Sequence, residues 1–343
     1  MKVELFLDRG NGSSKVLSIV EGVLQTPFKI PSVTRTNHPF DNSITLLKDG
    51  KKFLCGSPAI ETFAGIRYTP LDKNDKIREL SVVVAAALSQ VVPDGGPVEL
   101  SLCVSSPIYY RGIEQEIIKE LSKLSSGFSC AERQYVVLLE RVGAFQEGVI
   151  FLELSAEFNG VVDLGQGTLL AGVRYPNRGV MPLSLSDGNL GGCNLIITAL
   201  LSDTQFLKAV KAAGFPSAPS PDKLTSLLSE GRWTVKEIDF RKFLKPHMKL
   251  AKQRLENAAQ SIKAELNNAS PYEKVIPRIA FIGGGSSLFQ GVLADLLDKW
   301  CQKHSLVMVA QSPDYQTVLH MKQLSQRYPE RLISVPAAAA VTA

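Results

Sequence analysis

The chain is poor in the side chains that most often carry metal or nucleophile chemistry, with 4 histidines and 5 cysteines in 343 residues. Cys55, Cys103, Cys130, Cys193 and Cys301 are odd in number and scattered, with no Cys-x-x-Cys pair and no partnered histidine spacing. Neither a zinc site nor a disulfide framework is expected from that pattern. No Gly-x-x-x-x-Gly-Lys-Ser/Thr sequence occurs, which removes the P-loop. No uninterrupted apolar run reaches membrane-spanning length, and the opening Met-Lys-Val-Glu-Leu-Phe-Leu-Asp puts charges inside what would be the apolar core of a signal peptide. The expected location is the cytoplasm, with reduced thiols and no membrane partner. Charge bias is also small: 38 Lys+Arg against 33 Asp+Glu give a net +5, too mild and too dispersed to demand direct nucleic-acid binding.

What the chain has is apolar residues and glycine turns. A hydrophobic content of 45% over this length supports two substantial cores, and the length favours two domains. Asp8-Arg9-Gly10-Asn11-Gly12-Ser13-Ser14-Lys15 and Asp163-Leu164-Gly165-Gln166-Gly167-Thr168 each follow a short β-rich run, Val3 to Leu7 and Gly160 to Val162. Each also precedes one, Val16 to Val20 and Leu169 to Val173. That order describes a strand, a tight turn and a returning strand. It argues against a dinucleotide-binding dehydrogenase, whose glycine turn leads into a helix.

The expectation at both turns is glycine backbone at φ > 0, with successive amides converging on an anion such as phosphate. A carboxylate beside polyphosphate is repelled unless Mg²⁺ or its waters lie between, so Asp8 and Asp163 are the candidate metal residues. One such turn alone reads first as a plain hairpin; the recurrence of the pattern is what points to phosphate. A third cluster, Gly283-Gly284-Gly285-Ser286-Ser287, follows the β-type run Ile279 to Ile282 and precedes a helical pattern through Phe289, Val292, Leu293, Leu296, Leu297 and Trp300. Its bare backbone suits a flat base or ribose at a helix start.

In this order the motifs resemble those of the actin-like ATPases, a group that also takes in heat-shock chaperone ATPases and sugar kinases. The pattern is closest to the ParM-type plasmid-segregating bacterial actins and their archaeal relatives. The resemblance spans nearly the whole chain. It implies an α/β, actin-like (ribonuclease H-like) fold of two lobes, with ATP and Mg²⁺ in a cleft between them. It further implies that Gly10, Asn11, Gly12, Ser13 and Lys15 form the first phosphate loop, with Lys15 reaching the β-phosphate. Gly165, Gln166, Gly167 and Thr168 form the second, and Gly283, Gly284, Gly285 and Ser286 the adenosine motif.

Gln134 to Leu139 reads as a strand, and Glu140 to Gly148 after it resembles the connecting helix of the family. By the resemblance, an acidic or amide residue near that helix start orients the attacking water; Glu140 is the candidate, with Asp163 as the other catalytic residue. A helix-start acid favoured by the macrodipole is the alternative for Glu140. Gln146 and Glu147 read as solvent or interface residues. Gly191 and Gly192, in Ser186-Asp-Gly-Asn-Leu-Gly-Gly192, resemble the uncluttered backbone near the ribose; a flexible turn before a core helix explains them equally. Gln166 departs from the small residue usual in relatives, and Leu139 from a frequent proline.

The expected domains are residues 1–155 with a small subdomain at about 31–75, residues 156–310 with another at about 193–245, and 311–343 returning to the first lobe. A long helix from about Pro246 to Asn268 shows an apolar face, Met248, Ala251, Leu255, Ala258, Ile262 and Leu266, opposite a basic one. That basic face is either solvated or a subunit or adaptor contact. By resemblance, Lys252 or Glu256 lies near the adenosine, and the tail Pro336 to Val341 is a short helix or a frayed end.

The resemblance implies head-to-tail filaments that do not close into rings, hydrolysis that destabilises them, and DNA contact only through an adaptor. A small-molecule kinase of the same fold and a nucleotide-regulated switch with little turnover remain open beside it.

Overall fold

The apolar run near the N-terminus becomes strand β1 (Lys2–Arg9), buried throughout from Leu5 to Arg9, as a strand with neighbours on both sides must be. The computed structural model describes residues 1–36, 43–48, 50–61, 66–68, 76–107, 109–176, 178–185, 192–215, 217–229, 232–269, 275–286, 307–308, 312 and 314–336. Gly191, the helical pattern beyond Ser286 and the alanine run after Pro336 lie outside these. The chain forms two compact units, Met1–Glu147 with Thr317–Ala343, and Gly148–Gln316.

In the first unit β1 continues into β2 (Ser13–Val20), β3 (Val23–Leu24) and β4 (Phe28–Pro31). Short strands follow, β5 (Thr34–Thr36), β6 (Ile44–Leu46) and β7 (Lys52–Cys55), then helix α1 (Ser57–Glu61) and β8 (Ile66–Tyr68). Helix α2 (Leu80–Val91) is buried from Leu80 to Leu88, an all-round apolar helix inside a core. Then come β9 (Gly96–Ser106), α3 (Ile113–Leu121), β10 (Phe128–Cys130) and β11 (Arg133–Gln146). Among the described residues these make a twelve-stranded sheet, in which β2 is antiparallel to β1, and β1, β9 and β11 run parallel. The C-terminal strand Ile333–Ser334 closes on Arg141 and Val142 of β11.

The connecting helix expected over Glu140 to Gly148 is a strand instead. β11 stays paired with β9 from Tyr135 to Gln146, and its register shifts between Leu139 and Arg141. Tyr135, Val137 and Leu139 face the core while Val136 and Leu138 are exposed, an alternation that only an extended chain satisfies. The acidic residue is taken up as the extra residue of a β-bulge, so no helix begins at Glu140. The short helix α4 (Ile150–Leu154) starts only after Glu147.

The second unit opens with α4 and continues through β12 (Gly160–Leu164), β13 (Leu169–Tyr175) and β14 (Gly179–Leu183), followed by helices α5 (Cys193–Leu201), α6 (Thr204–Ala212) and α7 (Pro221–Ser229). A ribbon of β15 (Thr234–Val235) and β16 (Ile238–Asp239) leads to α8 (Phe240–Leu244) and the long α9 (Met248–Ala269). All six apolar positions expected to face the core of that helix are buried. Strands β17 (Ile279–Ile282) and β18 (Val307–Met308) complete a sheet of order β14-β13-β12-β17-β18. The first unit carries the same five-strand path, β3-β2-β1-β9-β11, with the same pattern of antiparallel and parallel neighbours. The sheet topology is therefore repeated, and each hairpin occupies the same place in it.

Candidate functional site

In open α/β sheets ligands gather beyond the carboxyl ends of parallel strands. The first unit places Asp8, Ser105 and Glu147 at or just past the ends of β1, β9 and β11, its three adjacent parallel strands. Lys15 is the register partner of Asp8 across the hairpin, and its Nζ donates to Asp8 Oδ2 at 2.8 Å. Ser105 Oγ lies 2.6 Å from Asp8 Oδ1 and 2.9 Å from Glu147 Oε1. Lys76, just ahead of α2, donates to Glu147 Oε1 at 2.6 Å and to Oε2 at 2.8 Å.

All four charged side chains are buried, Lys15 and Asp8 at 10% and 8% exposure, Lys76 and Glu147 at 4% and 5%. Each acid has its own lysine, the condition under which charges are tolerated out of water. Burial pushes the Asp8 carboxyl up, but Lys15 and Lys76 with the hydrogen bonds from Lys15 and Ser105 outweigh it, so its pKa is lowered. Glu147 goes the other way: burial, and then the charge of Asp8, raise its pKa against the pull of Lys76. Ser105 has one proton to give, so both of its short contacts are full hydrogen bonds only when one acid carries a proton.

The turn of this hairpin is closed by Gly10 N–H to Ser13 O at 3.2 Å. Gly10 is needed for space: a Cβ there would lie 2.7 Å from Ser13 O and 3.2 Å from Lys15 Nζ. The second hairpin repeats the bond, Gly165 N–H to Thr168 O at 2.9 Å, and a Cβ on Gly165 would lie 3.0 Å from Thr168 Oγ1. None of Gly10, Gly12, Gly165 and Gly167 has a left-handed φ, so the expectation of φ > 0 in these turns is corrected. Tight contacts explain Gly10 and Gly165 instead.

In the second unit the start of α5 and the third glycine cluster pack on the hairpin. Cys193 N–H donates to Gly165 O at 3.1 Å and Asn194 N–H to Gln166 O at 2.7 Å, while Gln166 Nε2 reaches Thr225 Oγ1 of α7 at 3.1 Å. A Cβ on Gly192 would fall 2.2 Å from Gly165 O, and one on Gly283 2.2 Å from Asp163 Oδ1. Gly283 has φ +93 as well, a backbone that glycine adopts without strain. A Cβ on Gly285 would meet Cys193 Sγ at 2.4 Å. These bare positions are filled by protein atoms, so they bring Asp163, Gly192, Gly283 and Gly285 together rather than leaving a face open. Ser286 is buried, with its Oγ on Ile282 O at 2.9 Å.

Glu140 stands apart from this cluster: it lies within β11, its carbonyl accepting from Val335 N–H at 2.8 Å. Glu147, read from the sequence as a solvent or interface residue, is buried beside Asp8. Lys252 and Glu256 pair with each other along α9 at 3.6 Å. Ser105 and Glu147 were each foreshadowed only by a polar residue closing an apolar run; for Lys76 the sequence carries no signal.

The fold is that of the actin-like proteins. The actin-like protein Alp7A superposes with a TM-score of 0.61 at 12% identity, covering 96% of this chain and 99% of that one. The archaeal actin homologue Ta0583 gives 0.59 at 16% identity, covering 95% and 99%, and the apo pSK41 ParM protein 0.58 at 14%, covering 96% and 98%. No protein-family model and no curated protein matches the chain. Among the described residues, no helix is long and apolar enough to cross a membrane.

Proposed function

We propose that this chain is an actin-like ATPase that binds Mg-ATP through both hairpins, hydrolyses it, and assembles head to tail into nucleotide-dependent filaments. Plasmid DNA segregation through a DNA-binding adaptor, or another cytoskeletal task, is the role such a polymer serves. The observation that carries this is the buried cluster of Asp8, Lys15, Ser105 and Glu147 at the ends of three parallel strands, beside a turn that the second unit repeats. Among proteins of similar fold, Ta0583 is solved in complex with ADP and Bacillus thuringiensis ParM with AMPPNP.

The residues suit such a ligand. Lys15 Nζ lies over the Gly10 turn, 3.2 Å from where a Gly10 Cβ would stand, which sets a cation beside the turn that the proposal gives to phosphate. Among the described residues no three His, Cys, Asp or Glu side chains cluster into a protein-only metal cage. Mg²⁺ keeps several waters and takes one or two carboxylates with substrate phosphates, and Asp8 and Asp163 supply that kind of ligand. When bound, it neutralises charge on the phosphate oxygens.

In this proposal Lys15, with Asn11, Gly12, Ser13, Gly167 and Thr168, binds the phosphates, and Gly192 with Gly283 to Ser286 shapes the nucleoside side. Glu147 takes the water-orienting role expected of Glu140. A carboxyl raised toward neutral pH is a better proton acceptor there, worth about 10²- to 10⁴-fold in rate. Sedimentation with ATP, ADP or no nucleotide, with phosphate release followed in parallel, tests the whole. ATP-dependent pelleting and phosphate release without any acceptor are expected. Material that pellets in no state across a concentration series contradicts the filament, and phosphate that moves only to an added hydroxyl or carboxylate makes the protein a kinase.

A further inference from the structure

One buried cation has no part in the reaction proposed above. Both oxygens of Glu147 are engaged, Oε1 by Lys76 and Ser105 and Oε2 by Lys76. Three of the four acceptor sites of the carboxylate are taken and its charge is neutralised by the ammonium, so Glu147 becomes a stronger base for a water once Lys76 leaves it.

The main chain of Lys76 is fixed while its side chain is long. Arg9, the residue after Asp8, is fully buried, and its Nη1 donates to the carbonyls of Lys76 at 2.7 Å and of Arg78. The backbone of Lys76 is thereby tied to the strand end that carries Asp8. Beyond it extends a flexible four-carbon stem ending in a compact charge, suited to exchange one anion for another. Lys15 stands to Asp8 as Lys76 stands to Glu147, a buried ammonium within 2.8 Å of a buried carboxylate, with Ser105 between the two acids.

Resting on the proposed nucleotide binding, we infer that Lys76 is a ligand for the terminal phosphate of a nucleoside triphosphate. It clamps Glu147 in the nucleotide-free protein and moves to the terminal phosphate oxygens when a triphosphate binds. The exchange conserves charge: the ammonium trades a carboxylate for a phosphate. Glu147 is then left without its cation in a buried place, which increases its affinity for a proton at the moment a water needs a base. A diphosphate lacks the third phosphate that the ammonium would reach and leaves the clamp closed.

Calorimetric titration of the full chain with Mg-ADP and with Mg-AMPPNP tests this on binding alone, in the wild type, Lys76→Met and Glu147→Gln. Lys76→Met is expected to weaken AMPPNP by about tenfold to a hundredfold, the worth of a charge-assisted hydrogen bond, and to leave ADP unchanged. Glu147→Gln, which keeps the ammonium and removes its competitor, is expected to bind AMPPNP at least as tightly as the wild type. Equal loss of both nucleotides in Lys76→Met, or no loss of either, overturns the inference. Should Lys76→Met fail to fold, Glu147→Gln decides: AMPPNP binding weaker than wild type makes Lys76 only a structural partner of Glu147. A wild-type chain that binds neither nucleotide overturns the ATPase itself, a separate result.

Discussion

The two hairpins share a backbone and differ in what stands beside their aspartates. In each, the glycine two residues past the aspartate closes the turn, Gly10 on Ser13 and Gly165 on Thr168, and the same strand order surrounds it. Beside Asp8 the adjoining parallel strand ends in Ser105, a hydroxyl that links the carboxylate to Glu147. Beside Asp163 the adjoining parallel strand ends in Gly283, whose bare Cα lets the carboxylate pack against backbone. The turn is common property; the neighbouring strand end differs, a hydroxyl in the first unit and a glycine in the second.

The largest expected effect breaks this asymmetry at its acid end. Glu147→Gln should lower the rate of phosphate release by about 10²- to 10⁴-fold, while Glu140→Gln, in the middle of β11, should leave it near wild type. Equal losses would return the catalytic role to the position read from sequence.

Asp8→Ala removes the carboxylate of a buried pair with Lys15 and should cost about 3–5 kcal/mol of stability in urea unfolding. The cost should depend on pH with a definite sign. Because the folded pKa of Asp8 is lowered from 3.8, its contribution is present above that value and fades as pH falls through the folded pKa, so the gap between wild type and variant narrows on acidification. Glu147 has the opposite sign: its raised pKa means the contribution is present below 4.5 and lost as pH rises through the folded value.

At the packing end, Gly283→Ala forces a Cβ to within 2.2 Å of Asp163 Oδ1 at a left-handed φ, for an expected loss of about 1–3 kcal/mol from crowding and a similar amount from strain. Gly10→Ala meets Ser13 O at 2.7 Å without a left-handed φ and should lose less in the same unfolding experiment. The smallest effect is that of Gln166→Ala, which cuts the tie to Thr225 on α7 and should cost about 0.5–1.5 kcal/mol.

Both turns were legible in the sequence because an aspartate, spaced glycines and flanking β-type runs are local features. So was the buried face of α9, whose three- and four-residue spacing needs no tertiary knowledge. Glu147 was not, because Glu140 imitates a helix start; only pairing with β9 keeps the chain extended through to Gln146. Lys76 and Ser105 reach the site through contacts distant in sequence, which no local pattern encodes. The glycines at 192, 283 and 285 were visible, but whether a bare Cα faces ligand or protein is a question of packing.

The proposed function requires both repeated hairpins for nucleotide binding. Titration calorimetry with Mg-ATP on the wild type, Lys15→Met and Asp163→Ala tests it most directly, with folding of each variant checked by circular dichroism. The account predicts a single nucleotide per wild-type chain and severe weakening by either substitution, although the two lie in different units. No heat with ATP, or full-strength binding that survives the loss of one hairpin, would contradict it.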